Sequence, residues 1–256
     1  MSAEVRPWLR AACARRALLA WLSVGLLLGL PAVPVHASGS AVLEQLAGNA
    51  QVLRSGMRLN ALRAMMLIER DEFSTERDAA ALIRMADGTA LLVRGATTVR
   101  LEGLPAEDRG LAGAARDVGL YVARGAIRLA TTAVTPTPRG SVTIRTITAT
   151  IGIRGTDFDL IVVEPLQPRL TAPPEPGAAP AQQPEPGSYV RVTRGLVALV
   201  ALDGTEVLLR PDEMGFAGDE VLVPRGAPPV PRARRVAPDA VPVARDAIDR
   251  LLEQPR

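Results

Sequence analysis

The tightest constraint on the fold is the stretch from Arg145 to Val163, RTITATIGIRGTDFDLIVV, which reads as a broken β-strand. Thr146, Ile147, Thr148, Thr150, Ile151 and Ile153 are β-branched and suit a pleated, half-buried surface. Gly152 and Gly155 interrupt the run, and glycine inside such a pattern marks a bulge, a bend or a close backbone approach. Beyond the break, Phe158, Leu160 and Val162 fall on one side of an extended chain, with Asp157 and Asp159 on the other. The expectation is strand, kink, strand, with Arg154 and Asp157 flanking the kink.

Each residue of the kink has a structural role to fill. Gly155 supplies backbone freedom, Thr156 caps the turn through its hydroxyl, and Phe158 anchors the kink in the core. The guanidinium of Arg154 carries five donors in a fixed fork, suited to turn carbonyls or a carboxylate. Asp157 is expected to face solvent or to pair with Arg154. Special backbone geometry accounts for a glycine and its neighbours without a ligand.

The rest of the chain repeats short apolar runs divided by turn signals. Ala41–Gly56 carries Gly48-Asn49 and Ser55-Gly56 as turns. Composition alone makes Ala61–Arg70 helical, since Ala, Leu, Met, Glu and Arg are good helix formers. Residues 79–100 form a hairpin around Asp87-Gly88, and VALVALDGTEVLLR repeats that shape around Asp203-Gly204. YVARGAIRL from Tyr121 and YVRVTRGLVAL from Tyr189 echo each other as strand–turn–strand units with Arg-Gly between apolar runs. The fold class that follows is all-β: β-solenoid-like, or a twisted β-sandwich of short strands and hairpins. Residues 165–187 are a Pro-, Ala- and Gln-rich insertion without enough apolar surface to order itself. Residues 224–238 read as a Pro/Arg-rich linker whose Arg225, Arg232, Arg234 and Arg235 are solvated. Val243, Ala247, Ile248, Leu251 and Leu252 then give a short C-terminal helix one apolar face.

Residues 1–37 read as a secretory signal peptide. Arg10, Arg15 and Arg16 precede an apolar run from Ala17 to Leu30, followed by a small-x-small site for cleavage between Ala37 and Ser38. The run is short for a membrane span. It follows that Cys13 and His36, the only residues of their types, are removed, and the remainder has no Lys. Four Arg and one Glu leave with the signal, which is the whole net charge of +3. A neutral mature chain does not call for nucleic acid as a partner.

IGIRGTDFDL resembles the V-R-G-T-x-F signature of the FecR-like periplasmic domain family. Gly48, Val52, Arg54 and Gly56 resemble its opening G-x-x-x-V-x-R-x-G, and Asp71 and Thr75 fit its L-x-x-G-D…T text, with Arg70 in place of the customary glycine. The resemblance covers about Ala41 to Val223. It implies two short strands around a turn at 61–75, contrary to the composition. It also implies a role in contacting outer-membrane transporter signalling domains and controlling sigma factors. Such regulators carry a cytoplasmic anti-sigma segment before a membrane span; here sixteen residues precede the apolar run, so the stand-alone exported form is expected.

Chemistry narrows the functions further. Without His, Cys or Lys the mature chain lacks the usual bases, thiols, Schiff-base amines and zinc ligands, and no cofactor is expected. Asp157 with Asp159, and Asp71 with Glu72, are the carboxylate pairs that a glycosidase or a hard cation would use. The leading expectation is a non-enzymatic, periplasmic or secreted FecR-like module. It binds a cell-envelope protein, or peptidoglycan or a membrane surface, through its edge strands or terminal helix. An iron-linked sensor-regulator and a carboxylate-dependent carbohydrate-active enzyme are the alternatives.

Overall fold

A computed structural model describes residues 40–105, 118–131, 141–164, 184–218 and 232–242. The signal segment with Ala37 and Ser38, most of the Pro-rich insertion and the terminal helix expected from Val243 lie outside these residues.

The described residues hold fifteen strands. In order they are β1 (Ser40–Ala47), β2 (Ala50–Arg54), β3 (Met57–Asn60), β4 (Met66–Ile68) and β5 (Glu72–Thr75). Next come β6 (Ala80–Met85), β7 (Ala90–Val93), β8 (Thr98–Gly103), β9 (Val118–Ala130) and β10 (Val142–Arg145). The last are β11 (Ala149–Val163), β12 (Gly187–Ala201), β13 (Glu206–Leu209), β14 (Met214–Gly218) and β15 (Ala233–Val236). All-β architecture is therefore as the sequence implies.

Three long strands, β9, β11 and β12, organise the rest, because each serves two half-sheets in turn. The C-terminal halves of β9 and β11 and the N-terminal half of β12 lie in the order β4-β1-β6-β7-β9-β11-β12-β14-β15. Their other halves join β3, β2, β5, β8, β10 and β13 in a second half-sheet, where β10 runs parallel to β9. One buried cluster draws on both: Leu43, Leu91, Ile127, Phe158 and Val190 from the first, and Val52, Phe73, Leu120, Ile151 and Leu199 from the second. The strands form one continuous bent sheet around this cluster. It is not a stack of sequential units, since β1 pairs with β6 and β5 with β8.

The local signals can now be checked. Both Asp-Gly hairpins form, and in each the aspartate folds over the turn. Asp87 accepts from the Thr89 amide and hydroxyl, each at 2.9 Å, and Asp203 accepts from the same groups of Thr205 at 2.9 and 2.6 Å. Residues 61–70 are not helical. They make a turn and the short β4, as the resemblance implied, and Arg70 takes the left-handed conformation (φ 72°) that the customary glycine would adopt. The two Tyr-starting units are not strand–turn–strand. Each is a continuous bent strand, β9 and β12.

Part of the stretch read as a solvated linker is a strand. β15 pairs with β14, the Arg234 guanidinium stacks 4.5 Å over Phe216 and bonds Glu185 at 2.7 Å, and Arg235 meets Glu213 at 3.3 Å. Ala233 shares a face with Arg235 and Val236 with Arg234, so each face of the strand carries one apolar residue and one charge that finds a partner.

Candidate functional site

The bends of the three long strands coincide with three Arg-Gly dipeptides. Gly125, Gly155 and Gly195 take φ values of 88°, 63° and 90°, a region that side chains rarely adopt. Around Gly155 the register between β11 and β12 shifts, as it does where a bulge inserts a residue and sharpens the twist. A Cβ on Gly155 would meet nothing within 4 Å, whereas one on Gly195 would lie 2.6 Å from the Gly155 carbonyl oxygen. Gly195 thus presses its backbone onto the bend of β11, and Gly155 supplies only the conformation.

The other residues of the kink fall as follows. Phe158 is fully buried in the main core. The Thr156 hydroxyl does not cap the turn: it is buried and makes no hydrogen bond. The backbone of Thr156 is held instead by Thr131, whose hydroxyl accepts from the Thr156 amide at 2.8 Å and donates to its carbonyl at 3.1 Å. Arg154 lies on β11 opposite Leu196 of β12.

Asp157 does not face solvent free of partners. Arg128 on β9 grips it with two bonds, Nε to Oδ1 at 2.9 Å and Nη2 to Oδ2 at 3.0 Å. Asp159 accepts from Arg94 Nη2 at 3.0 Å, and all four side chains are at least 85% buried. Two carboxylates do share a face, as the period of a strand requires. Each is committed to a guanidinium, and that leaves no free acid and base to flank a glycosidic bond. Among the described residues no group of three or more acids, His or Cys could hold a metal ion.

A third ion pair joins Arg54 to Asp71. Asp71, 1% exposed, receives Arg54 Nε at 2.8 Å and Nη2 at 2.6 Å, and also the Ile68 amide at 2.9 Å. The bond to Asp71 holds the Arg54 guanidinium charged to beyond its ordinary range. Arg54 also donates to the Met66 carbonyl, so one side chain ties β2 to β4 and to the turn that Arg70 makes. Sequence reasoning singled out Arg54 and Asp71 separately. Only strand pairing brings them, or Arg94 and Arg128, to their partners.

The remaining feature is an apolar edge. β4 pairs with β1 alone among the described strands, and Met66 and Ile68 point outward from it beside Val42 of β1. They are 59%, 36% and 39% exposed.

Comparison with known proteins gives a family match over part of the chain and a loose structural likeness. The model of the FecR protein family matches residues 71–171. That span begins at the buried Asp71 and includes β5 to β11, while β12, paired along the whole of β11, lies beyond it. No curated protein matches the sequence. Two crystal structures of a candidate anti-sigma factor from Parabacteroides distasonis are similar, at 15% and 16% identity with TM-scores of 0.38 and 0.37. Each alignment covers 57% of this chain and 54% of that one, so the match spans about half of each protein.

Proposed function

We propose, on the match of residues 71–171 to the model of the FecR protein family, that this chain is a non-enzymatic regulatory module of the cell envelope that acts by binding another protein through its β1–β4 edge. The observation that carries this reading is the edge itself. A strand edge with outward apolar side chains is a surface a partner can cover, and proteins that do not use such an edge usually guard it with charged side chains. The outer backbone groups of β4 are already taken, the Met66 carbonyl by Arg54 and the Ile68 amide by Asp71, so the partner packs on side chains. Met66, Ile68 and Val42 leave this one apolar. The arginine pairing of Asp157 and Asp159 supports a binding role over carbohydrate chemistry. The engagement of Arg234 and Arg235 within the fold supports a protein partner over peptidoglycan or lipid. The basic and apolar start of the chain, with its Ala37–Ser38 site, supports export.

The test is photo-crosslinking in cells from a reactive amino acid placed at Met66, with exposed Glu206 on β13 as the control position. The expected result is a discrete adduct from Met66 that disappears with Ile68→Lys. Equal adduct patterns from both positions would refute the edge as the binding surface.

The family match also favours a second reading, an iron-linked sensor-regulator that remains in the membrane. It requires residues 1–37 to stay on the mature protein. Intact-mass measurement showing cleavage after Ala37 would remove it.

A further inference from the structure

Readily oxidised side chains are few from Ser40 onward. Trp8, Cys13, Trp21 and His36 all precede it, so the rest of the chain holds no thiol, imidazole or indole. The thioethers of Met57, Met65, Met66, Met85 and Met214 are what a two-electron oxidant meets there. The fold sorts them. Met57 and Met66 are 62% and 59% exposed, whereas Met85 and Met214 are 2% and 1% exposed. Met65 is half-buried against the main core.

Both exposed methionines flank Arg54. Met57 is its partner in the β2–β3 hairpin, and the Met66 carbonyl accepts from its guanidinium at 2.9 Å. Met66 is also the cross-strand neighbour of Val42, and of the three apolar side chains on the β1–β4 edge it is the most exposed. A thioether is apolar and adaptable, which suits a surface that a partner covers. A sulfoxide is polar, and a partner that covers it must strip water from its oxygen.

We propose, resting on the edge reading above, that Met66, with Met57 beside the same arginine, is an oxidative modification site through which hydrogen peroxide closes the β1–β4 edge to its partner. In the step a lone pair on the Met66 sulfur attacks one peroxide oxygen, the O–O bond breaks and an S–O bond forms. Sulfur gives up two electrons, and the displaced hydroxide takes up a proton and leaves as water. Methionine sulfoxide reductases reverse the step. The core sulfurs of Met85 and Met214 are shielded, so the fold is unchanged while the edge becomes polar.

Peptide mass mapping of the full chain after a short exposure to hydrogen peroxide reads the site. Oxidation at Met57 and Met66 is expected to run about tenfold or more faster than at Met85 and Met214, with no change in the urea midpoint. Oxidation spread evenly over the methionines overturns the proposal and leaves the edge reading standing. The effect on binding is read by photo-crosslinking in cells from a reactive amino acid at Val42, which leaves Met66 in place. Brief hydrogen peroxide is expected to cut the adduct by about tenfold in the parent and to leave it intact in Met57→Leu/Met66→Leu. An adduct that survives when mass mapping shows Met66 oxidised overturns the proposal, as does equal loss in the double variant. No adduct from Val42 before any peroxide sinks the edge reading itself, and the proposal with it.

Discussion

Gly155→Ala and Gly195→Ala are the same chemical change at two bends, and the structure predicts different losses. Both glycines have positive φ, which costs an L-residue about 1–2 kcal/mol. Alanine restricts the unfolded chain and returns about 0.4–1 kcal/mol. At Gly155 the new methyl enters open space, so the net loss is about 1 kcal/mol. At Gly195 the methyl would lie 2.6 Å from the Gly155 oxygen and 3.0 Å from Thr156 Cα. Both are backbone atoms and cannot rotate away. Overpacking of this kind adds about 1–3 kcal/mol, for a total of about 2–4 kcal/mol. Gly152→Ala is the control, since Gly152 has neither positive φ nor a neighbour within 4 Å.

Urea unfolding at equilibrium reads this directly. With a slope of about 2 kcal/mol/M, the midpoint should fall by about 0.5 M for Gly155→Ala and by about 1–2 M for Gly195→Ala, with the slope unchanged. A larger loss at Gly155 than at Gly195 would refute the assignment of the close approach to Gly195. So would a Gly195→Ala chain within about 0.5 kcal/mol of the parent, the range of ordinary surface changes.

Further outcomes follow from the same geometry. Thr156→Val, which removes a buried hydroxyl without a partner, should be neutral or stabilising by up to about 1 kcal/mol in the same urea assay. Asp71→Asn should destabilise by about 1–3 kcal/mol, because it removes a charge that Arg54 and the Ile68 amide both use. Arg128→Ala should cost about 3 kcal/mol, and Arg128→Met with Asp157→Leu should recover most of it, since the single change strands a buried charge and the double change does not. On acidification, Asp203, lowered first by the Thr205 hydroxyl, and Glu213, lowered first by the Arg210 amide, hold pKa values below the ordinary carboxylate range. Their contribution is complete above the unfolded value of about 4 and is lost as pH falls through the lower folded values. The urea midpoint should therefore drop below about pH 4, and Asp203→Asn with Glu213→Gln should flatten that limb.

Signals that act over a few residues were legible in the sequence. The two Asp-Gly-Thr hairpins and the break at Gly155 need nothing beyond their own neighbours. Arg70 was harder, because left-handed φ in an arginine is imposed by tertiary contacts: its amide reaches the Leu101 carbonyl at 2.6 Å while Asp71 beside it is clamped by Arg54. The composition of 61–70 favoured a helix, and those contacts overrode it. The ion pairs were not legible. Arg94 and Asp159 are 65 residues apart in sequence, and their meeting depends on the register of β7 on β9 and of β9 on β11. A one-residue slip in either pairing would turn one partner to the core side. β15 was masked for a related reason, since its neighbours are prolines and its pairing strand β14 gives no local sign of an open edge.

Arginine and aspartate meet across β7, β9 and β11 and fix strand alignment in a chain whose one cysteine cannot form an internal disulfide. The Arg154–Phe158 segment accordingly forms a bend: Gly155 turns the strand, Phe158 pins it, and Gly195 lets β12 follow closely enough to pair with both halves. If the chain acts as proposed above, partner choice rests on surfaces that the bend only positions. The β1–β4 edge precedes the family-matched span entirely, with β4 tied to that span through the Arg54–Asp71 clamp. A domain of one family can in this way present different edges to different partners while its centre stays the same. Exchanging β1–β4 between two such domains should therefore transfer partner choice and leave the bent strands intact, whereas exchanging the Arg154–Phe158 segment should alter stability and leave partner choice unchanged.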